Sequence, residues 1–162
     1  MHAFSMADFP ALVELHGDPE VMRYLTPDGR SWTDDELKAR LRRFVEEQEK
    51  YGFSRWKICR RDDNTMIGRA GFAIYPPTGE VELGFSFRKS AWGQGYGNEC
   101  ATALMAWLFH TYPTVDHVIA FAQPANLGSC RILEKLGMRP THEEKIGGTP
   151  YRFYRVERPR DL

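Results

Sequence analysis

The segment Arg88–Glu99 reads RKSAWGQGYGNE and joins two runs of different hydrophobic period. Before it, apolar residues occupy every second position from Val81 to Phe87, which is typical of a β-strand. After it, apolar residues recur at helical spacing from Ala101 to Phe109. The three alternating glycines of the segment are therefore predicted to lie in a turn between a strand and a helix.

This glycine turn has the features of a phosphate-binding site. Gly93, Gly95 and Gly97 can adopt positive φ and let backbone amides approach a ligand without obstruction by side chains. A helix N-terminus directs unpaired N–H groups and a positive dipole end to the same place. Arg88 and Lys89 add positive charge nearby. Glycines also dominate turns for conformational reasons alone, so the pattern by itself does not establish a ligand.

The turn departs from two well-known phosphate loops. In the dinucleotide fingerprint G-x-G-x-x-G, the third glycine would fall on Asn98. A P-loop ends in Gly-Lys-Ser/Thr, whereas Gly97 is followed here by Asn98 and Glu99. An NAD-binding or ATP-binding protein is therefore disfavoured.

The turn instead resembles the acyl-CoA-binding motif of the GNAT N-acetyltransferases, especially the branch of the ribosomal-protein alanine N-acetyltransferases (RimJ/RimL-like). Five blocks carry this resemblance in family order: Asp18–Leu25, Ile67–Gly68, Glu82–Phe85, Trp92–Glu99 and Asn126–Gly137. The resemblance spans most of the chain. It implies an α/β GNAT acyl-CoA N-acyltransferase fold, with a mixed, mostly antiparallel central sheet flanked by helices.

Composition is that of one soluble domain covering residues 1–162. Equal numbers of basic and acidic residues, 22 each, give no net field that would attract nucleic acid or a membrane surface. The longest apolar stretch, around Leu104–Phe109, is too short to span a bilayer, and the first residues lack a signal-peptide layout. We therefore expect a cytoplasmic protein.

Metal-ligating residue types show no paired spacing. The histidines have no H-x-x-x-H or H-E-x-x-H arrangement, so no metal site is predicted, and each is expected at the surface or half-buried: His2, His16, His110, His117 and His142. Cys59, Cys100 and Cys130 share no C-x-x-C spacing, and their odd number argues against a closed disulfide framework. We expect three reduced thiols.

The order of predicted elements agrees with the resemblance. Helices are predicted from Ser5 to His16, from Pro19 to Leu25, after the cap Thr33, from the glycine turn to about Thr111, and over Gly128–Leu136 with Gly137 as C-cap. Strands are predicted over Ser54–Arg60, Met66–Tyr75, Glu80–Phe87, His117–Phe121, Thr141–Lys145 and Tyr151–Val156. Family members usually open with another strand, and only Met1–Phe4 precede the first helix here. This edge strand is expected to be truncated, because of either a late start or a tolerated stub.

The resemblance implies that acetyl-CoA is the cosubstrate. In GNAT proteins the strand before the turn separates from its neighbour and exposes backbone amides to the pantetheine arm and the thioester carbonyl. The residues carried over as binding candidates are Phe85, Ser86, Phe87, Trp92, Gly93, Gln94, Gly95, Tyr96, Gly97, Asn126 and Ser129. The side chains of Phe85 and Phe87 are expected in the core, so the proposed contacts use their main chain.

Catalytic candidates also follow from the resemblance. Ser129 is the candidate acid for the leaving thiolate, since the family's frequent tyrosine falls on Leu133 here. Asn126 and Ser129 equally fit local helix caps. Glu82 is the candidate base, with Glu143 and Glu144 as rivals. Alternatively, Glu82 is a solvated strand residue paired with an arginine.

Two functions remain open from the sequence. The first is an N-acetyltransferase that transfers the acetyl group of acetyl-CoA to a protein N-terminal residue or a small amine by direct attack in a ternary complex. The second is a non-catalytic CoA-binding or acyl-CoA-binding sensor or scaffold. By resemblance, the acceptor would lie between Tyr24–Trp32 and the hairpin Glu143–Tyr151, and a homodimer is possible. The sequence identifies neither the acceptor nor the oligomeric state.

Overall fold

The structure, a computed structural model, describes residues 1–160 and contains one six-stranded mixed sheet with helices on both faces. The helices are α1 (Phe9–Gly17), α2 (Pro19–Met22), α3 (Asp34–Tyr51), α4 (Tyr96–Thr111) and α5 (Leu127–Lys135). The strands are β1 (Arg55–Cys59), β2 (Met66–Ile74), β3 (Val81–Phe87), β4 (His117–Ala122), β5 (Arg139–Ile146) and β6 (Thr149–Glu157).

The strand order is β1-β2-β3-β4-β6-β5, and only β3 and β4 are parallel. The predicted mixed, mostly antiparallel sheet is thus confirmed. Several predicted boundaries move. β6, for example, begins at Thr149 rather than Tyr151. α2 ends at Met22 rather than Leu25. β5 begins at Arg139, because Arg139 and Pro140 already pair with β6 ahead of a bulge at Thr141.

Capping residues that are visible in the sequence position the helices. The Thr33 hydroxyl accepts a hydrogen bond from the Glu36 amide (3.3 Å), and the Glu36 carboxylate accepts one from the Thr33 amide (2.8 Å). This capping box begins α3 as predicted. Gly137 follows α5 at φ 78°, the left-handed position that a helix C-terminus favours, and its amide bonds to the Glu134 carbonyl (3.0 Å).

Two apolar clusters hold the helices against opposite faces of the sheet. α4 and α5 pack on the larger cluster, which includes Leu104, Leu133 and Phe72. α1 and α3 pack on the smaller one, which includes Leu15 and Phe44. Any ligand of the sheet is therefore expected at an end or an opening of the sheet rather than beneath either packed face.

The chain start adds a single bridge to the edge of the sheet. His2 and Lys57 exchange backbone hydrogen bonds of 3.0 and 2.8 Å, which places the first residues beside β1, where the family's opening strand is expected. The three cysteines are unpaired, as expected. Within residues 1–160, no helix has the length and apolar character needed to cross a membrane.

Candidate active site

The sheet opens between β3 and β4. Their pairing is limited to Glu82 opposite Ile119, whereas β3 stays paired with β2 as far as Phe87. The Arg88 amide bonds to the Ile67 carbonyl of β2 (2.8 Å). Because N–H directions alternate along a strand, the amides of Phe85 and Phe87 point away from β2, toward the gap.

Ser86 differs from its two neighbours. By the same alternation, its amide points to β2, where Arg69 lies opposite it, and its side chain is buried. The predicted segment Phe85–Phe87 therefore presents two main-chain donors to the gap, at Phe85 and Phe87. Ser86 lies between them, with its side chain on the face that carries Arg69.

Two of the three glycines have the positive φ expected of the turn, whereas Gly97 already lies in the first turn of α4. Gly93 and Gly95 have φ angles of 72° and 87°, and Gly95 begins α4 without a side-chain cap. The first helical hydrogen bond runs from the Glu99 amide to the Gly95 carbonyl (3.0 Å). Consequently the amides of Tyr96 and Gly97 have no acceptor among residues 1–160. Free donors at the start of a long helix fit a diphosphate.

Two side chains of the turn stabilise it by donating hydrogen bonds to nearby main-chain carbonyls. Trp92 Nε1 donates to the Phe87 carbonyl (2.8 Å), and Gln94 Nε2 donates to the Ser90 carbonyl (2.6 Å). The Trp92 ring nevertheless remains 47% exposed. These two predicted binding residues therefore hold the backbone that would meet the ligand.

Gly97 has a packing role. A Cβ at Gly97 would lie 2.8 Å from Ile132 Cδ1, so glycine here lets α4 approach α5 closely.

The side chains of Arg88 and Lys89, just before the glycine turn, extend toward α1 and α2 rather than toward the turn. Arg88 pairs with Glu14 of α1, and this contact lowers the pKa of the Glu14 carboxyl. Lys89 Nζ lies 3.7 Å from a Glu20 oxygen. Both cations border a polar cavity of about 270 Å³ between the turn and α1–α2. Their charges are therefore directed to acidic side chains of the helix pair.

Asn126 and Ser129 lie at the start of α5. Asn126 Oδ1 accepts a hydrogen bond from the Ser129 amide (3.2 Å), which makes Asn126 the cap. Among residues 1–160, the Ser129 hydroxyl and the Asn126 Nδ2 have no hydrogen-bond partner. The cap therefore leaves both groups available to a ligand.

Glu82 is paired with an arginine, yet it is not solvated. Arg55 Nη2 lies 2.5 Å from Glu82 Oε2, and the two side chains are only 8% and 13% exposed. Arg55 Nη1 also donates to the carbonyls of Gly71 (2.7 Å) and Glu82 (3.0 Å). The solvated alternative is thus wrong, whereas the arginine partner that it included is present.

The two rival carboxylates lie on β5. Glu143 is bonded to Arg152 at 2.8 Å, and its side chain is half exposed. Glu144 is similarly exposed, and its one ion-pair partner among residues 1–160 is His142, at 4.0 Å. Of the three candidates, Glu82 is the one that lies on the strand bordering the gap.

Comparison with known proteins identifies the family of this chain. The model of the "Acetyltransferase (GNAT) domain" matches residues 1–139. The chain belongs to the GNAT family. It is therefore an acetyl-CoA-dependent acyltransferase, as predicted.

Individual relatives support the same assignment. The chain is 30% identical to the uncharacterized N-acetyltransferase YnaD of Bacillus subtilis (strain 168) over 136 residues, which cover 84% of this chain and 76% of YnaD. A GNAT-family acetyltransferase of Bordetella pertussis superimposes with a TM-score of 0.81 at 21% identity, covering 95% of this chain and 92% of that one. RimL, a ribosomal L7/L12 N-acetyltransferase solved with coenzyme A, gives 0.78 at 17% identity, covering 96% and 92%. Ribosomal-protein alanine acetyltransferases are also among the structural neighbours.

In this GNAT protein, hydrogen bonds join the two segments predicted to hold the acceptor. Thr149 Oγ1 at the hairpin donates to the Pro27 carbonyl (2.7 Å). Gln123 Nε2 lies within reach of the Thr26 carbonyl (3.1 Å), the Tyr24 carbonyl (3.3 Å) and the Tyr151 hydroxyl (3.2 Å). Burial raises the pKa of Tyr151. The sequence analysis missed Gln123, although a polar residue directly after an apolar strand was a visible signal.

A buried polar cluster on the α1–α3 face was also missed. His16, expected at or near the surface, is 1% exposed. Its Nε2 accepts a hydrogen bond from Arg69 Nε (3.1 Å). Burial, together with Arg69 and Arg40, lowers the pKa of His16 to about 2, so His16 is neutral. The sequence feature that could have revealed this cluster is Arg69, a charged residue within the apolar strand β2.

Proposed function

We propose that this GNAT enzyme acetylates a primary amine by direct attack on acetyl-CoA in a ternary complex. The observation that carries the proposal is the gap between β3 and β4 next to the uncapped start of α4. The amides of Tyr96 and Gly97 would bind the diphosphate, with Gly93 and Gly95 providing the turn. Asn126 Nδ2 and the main chain at Phe85–Phe87 would bind the pantetheine arm.

The reaction needs little covalent help from the protein, because the thioester is already activated. The free amine attacks the acetyl carbon, a C–N bond forms, and the C–S bond breaks. The nitrogen then releases a second proton, which replaces the proton that the departing thiolate takes up from Ser129. The amide of Phe85 or Phe87 would stabilise the charge that develops on the carbonyl oxygen. Such a donor contributes about 3 to 4 kcal/mol in other enzymes.

Ser129 is the proposed acid for the departing thiolate. Its hydroxyl has no hydrogen-bond partner among residues 1–160, so its proton is available. An ordinary thiol has a pKa of about 8.5, so the thiolate is already a fair leaving group. We therefore expect a modest contribution from Ser129.

Glu82 is the proposed base, acting directly or through a water molecule. A primary ammonium has a pKa near 10, so one proton must leave before attack. A positioned base is typically worth about 10² to 10⁴ in rate. Position favours Glu82, on the strand that borders the gap, over Glu143 and Glu144 on β5.

Acceptors would enter between Tyr24–Trp32 and the β5–β6 hairpin. The test is a thiol-release assay with acetyl-CoA and a panel of amines, including N-terminal peptides of ribosomal proteins, amino acids and polyamines. Acetyl-CoA binding is measured in parallel by calorimetry. Binding without acetylation of any amine would favour a sensor or scaffold, and absence of binding would overturn the proposed site.

A further inference from the structure

Two arginines on the α1–α3 face have no carboxylate partner. Arg69 is only 6% exposed, and its one side-chain hydrogen bond within residues 1–160 goes from Nε to the neutral His16. Arg40 is half-buried, and its side chain makes neither a hydrogen bond nor an ion pair with the described part of the chain. Its guanidinium carbon lies 3.6 Å from the centroid of the Trp32 ring. The rings of Trp32 and His16 pack edge to face, with 4.9 Å between their centroids. His16 and Trp32 therefore connect Arg69 and Arg40 in one cluster.

Three neighbouring carboxylates, Glu82, Glu36 and Glu47, are each paired with another arginine. Glu47 Oε1 lies 3.4 Å from Arg43 Nε, and its buried Oε2 has no hydrogen-bond partner among residues 1–160. Glu82 is held by Arg55, with 2.5 Å between Oε2 and Nη2. Glu36 is held by two hydrogen bonds from Arg30, of 2.9 and 2.7 Å. This leaves an excess of positive charge in a buried region, which is costly unless an anion compensates it.

The two arginines lie on the face of the sheet next to the gap. Arg69 is directly opposite Ser86, between the two residues whose amides face the gap. Trp32 is the last residue of the segment Tyr24–Trp32. Hydrogen bonds from Gln123 and Thr149 join this segment to the sheet and to the β5–β6 hairpin. The cationic cluster is therefore close to the place where the amine and the thioester would meet.

We propose that Arg69 and Arg40 bind a carboxylate of the acceptor, so that the substrates are amines that also carry a carboxylate. This inference rests on the acetyl transfer proposed above. A guanidinium presents paired donors that match the two oxygens of a carboxylate. The carboxylate belongs either to a free amino acid or to a peptide, and the chemistry at the two arginines is the same.

The first experiment compares matched acceptors in the thiol-release assay. Each of the twenty amino acids is tested beside its carboxamide, and N-terminal peptides with Asp or Glu are tested beside those with Asn or Gln. We expect kcat/KM to be at least tenfold higher for the carboxylate member of the preferred pair. Equal or better turnover of the neutral members would overturn the inference while leaving acetyl transfer intact. Absence of acetylation with every amine would count against the proposed function itself.

The second experiment uses variants on the same acceptor pairs. R69M and R40M should lower kcat/KM at least tenfold for the carboxylate acceptor and less than threefold for its amide. R42M is the matched control, since Arg42 is exposed on α3, and it should change neither value. R69M removes a buried charge that has no anion but leaves the buried His16 Nε2 without its donor, so we expect only a small change in the melting temperature. An equal loss on acid and amide in both R69M and R40M would mark the arginines as structural and overturn the inference.

Discussion

Arg55 and Glu82 form a buried ion pair in the sheet, with 2.5 Å between Nη2 and Oε2. Arg55 is further held by the carbonyls of Gly71 and Glu82, so its position does not depend on the carboxylate alone. Glu82 is also the residue of β3 that pairs with β4 where the two strands part. The carboxylate proposed as the base is therefore part of the structure that forms the gap.

Replacing Glu82 with Gln should affect stability and rate together. Breaking a buried pair leaves Arg55 without an anion, and we expect a loss of about 3 to 5 kcal/mol in the free energy of unfolding. Loss of the base should lower kcat by about 10² or more. Urea denaturation and thiol release on the same preparation measure the two effects.

A double variant separates these two roles. Arg55→Met with Glu82→Gln removes both charges and should recover much of the lost stability, because no buried ion remains unpaired. Activity should stay low. If activity returned with stability, Glu82 would be only a structural partner of Arg55.

The glycine turn should be tested at Gly95. Gly95→Ala places an L-residue at φ 87°, and Gly79→Ala in the β2–β3 turn does so at φ 75°, in both cases with open space around the new Cβ. Each should lose about 1 to 2 kcal/mol of stability. Calorimetry should show at least tenfold weaker acetyl-CoA binding for the Gly95 variant alone. Equal affinities in the two variants would contradict the diphosphate site.

Ser129 and Asn126 should respond differently to truncation. Ser129→Ala removes a hydroxyl without a partner, so kcat should fall while the melting temperature and acetyl-CoA affinity stay unchanged. Asn126→Ala removes the cap of α5, which costs about 1 kcal/mol, and should also raise the KM for acetyl-CoA. Unchanged turnover in the serine variant would remove it from the mechanism.

Gln123 should affect the binding of the acceptor but not that of acetyl-CoA. Gln123→Leu leaves the Tyr24 and Thr26 carbonyls without their donor, which we expect to cost about 1 to 3 kcal/mol. The freed segment should raise the KM of the acceptor and leave that of acetyl-CoA unchanged. Thr149→Val, which removes the bond to Pro27, is the matched comparison at the hairpin and should act in the same direction. A larger effect on acetyl-CoA would contradict the assignment of these segments.

His16 should make the protein sensitive to mild acid. Its pKa is about 2 in the folded protein and about 6.5 in the unfolded chain. Between these values the unfolded state binds the extra proton, so stability falls as pH decreases below 6.5. We expect a loss of about 2 kcal/mol between pH 7 and pH 5, measured by denaturant titration. His16→Gln, which keeps an acceptor for Arg69, should remove this slope, and an unchanged slope would assign it to another group.

Local chemistry explains why much of the fold could be predicted. The strand period before Arg88, the helical period after Glu99 and the Thr33 capping box each depend on residues a few positions apart. The main-chain part of the site follows from the same local signals, since Gly93 and Gly95 adopt the positive φ that the turn requires. The buried state of His16 and the identity of the arginine that pairs with Glu82 could not be predicted in this way, because each depends on residues distant in sequence.

By itself, the sequence determined the order of helices and strands, the glycine turn at the start of α4 and the Asn126 cap, because hydrophobic period, capping and glycine conformation act over one or two turns of chain. Only the tertiary structure decided that Arg55 neutralises Glu82 and that Arg69 and Arg40 meet around His16 without an anion. Charge pairing depends on which side chains the sheet and its covering helices bring within a few ångströms. That is set by the packing of segments far apart in sequence, as in the bond between His16 and Arg69, which are 53 residues apart.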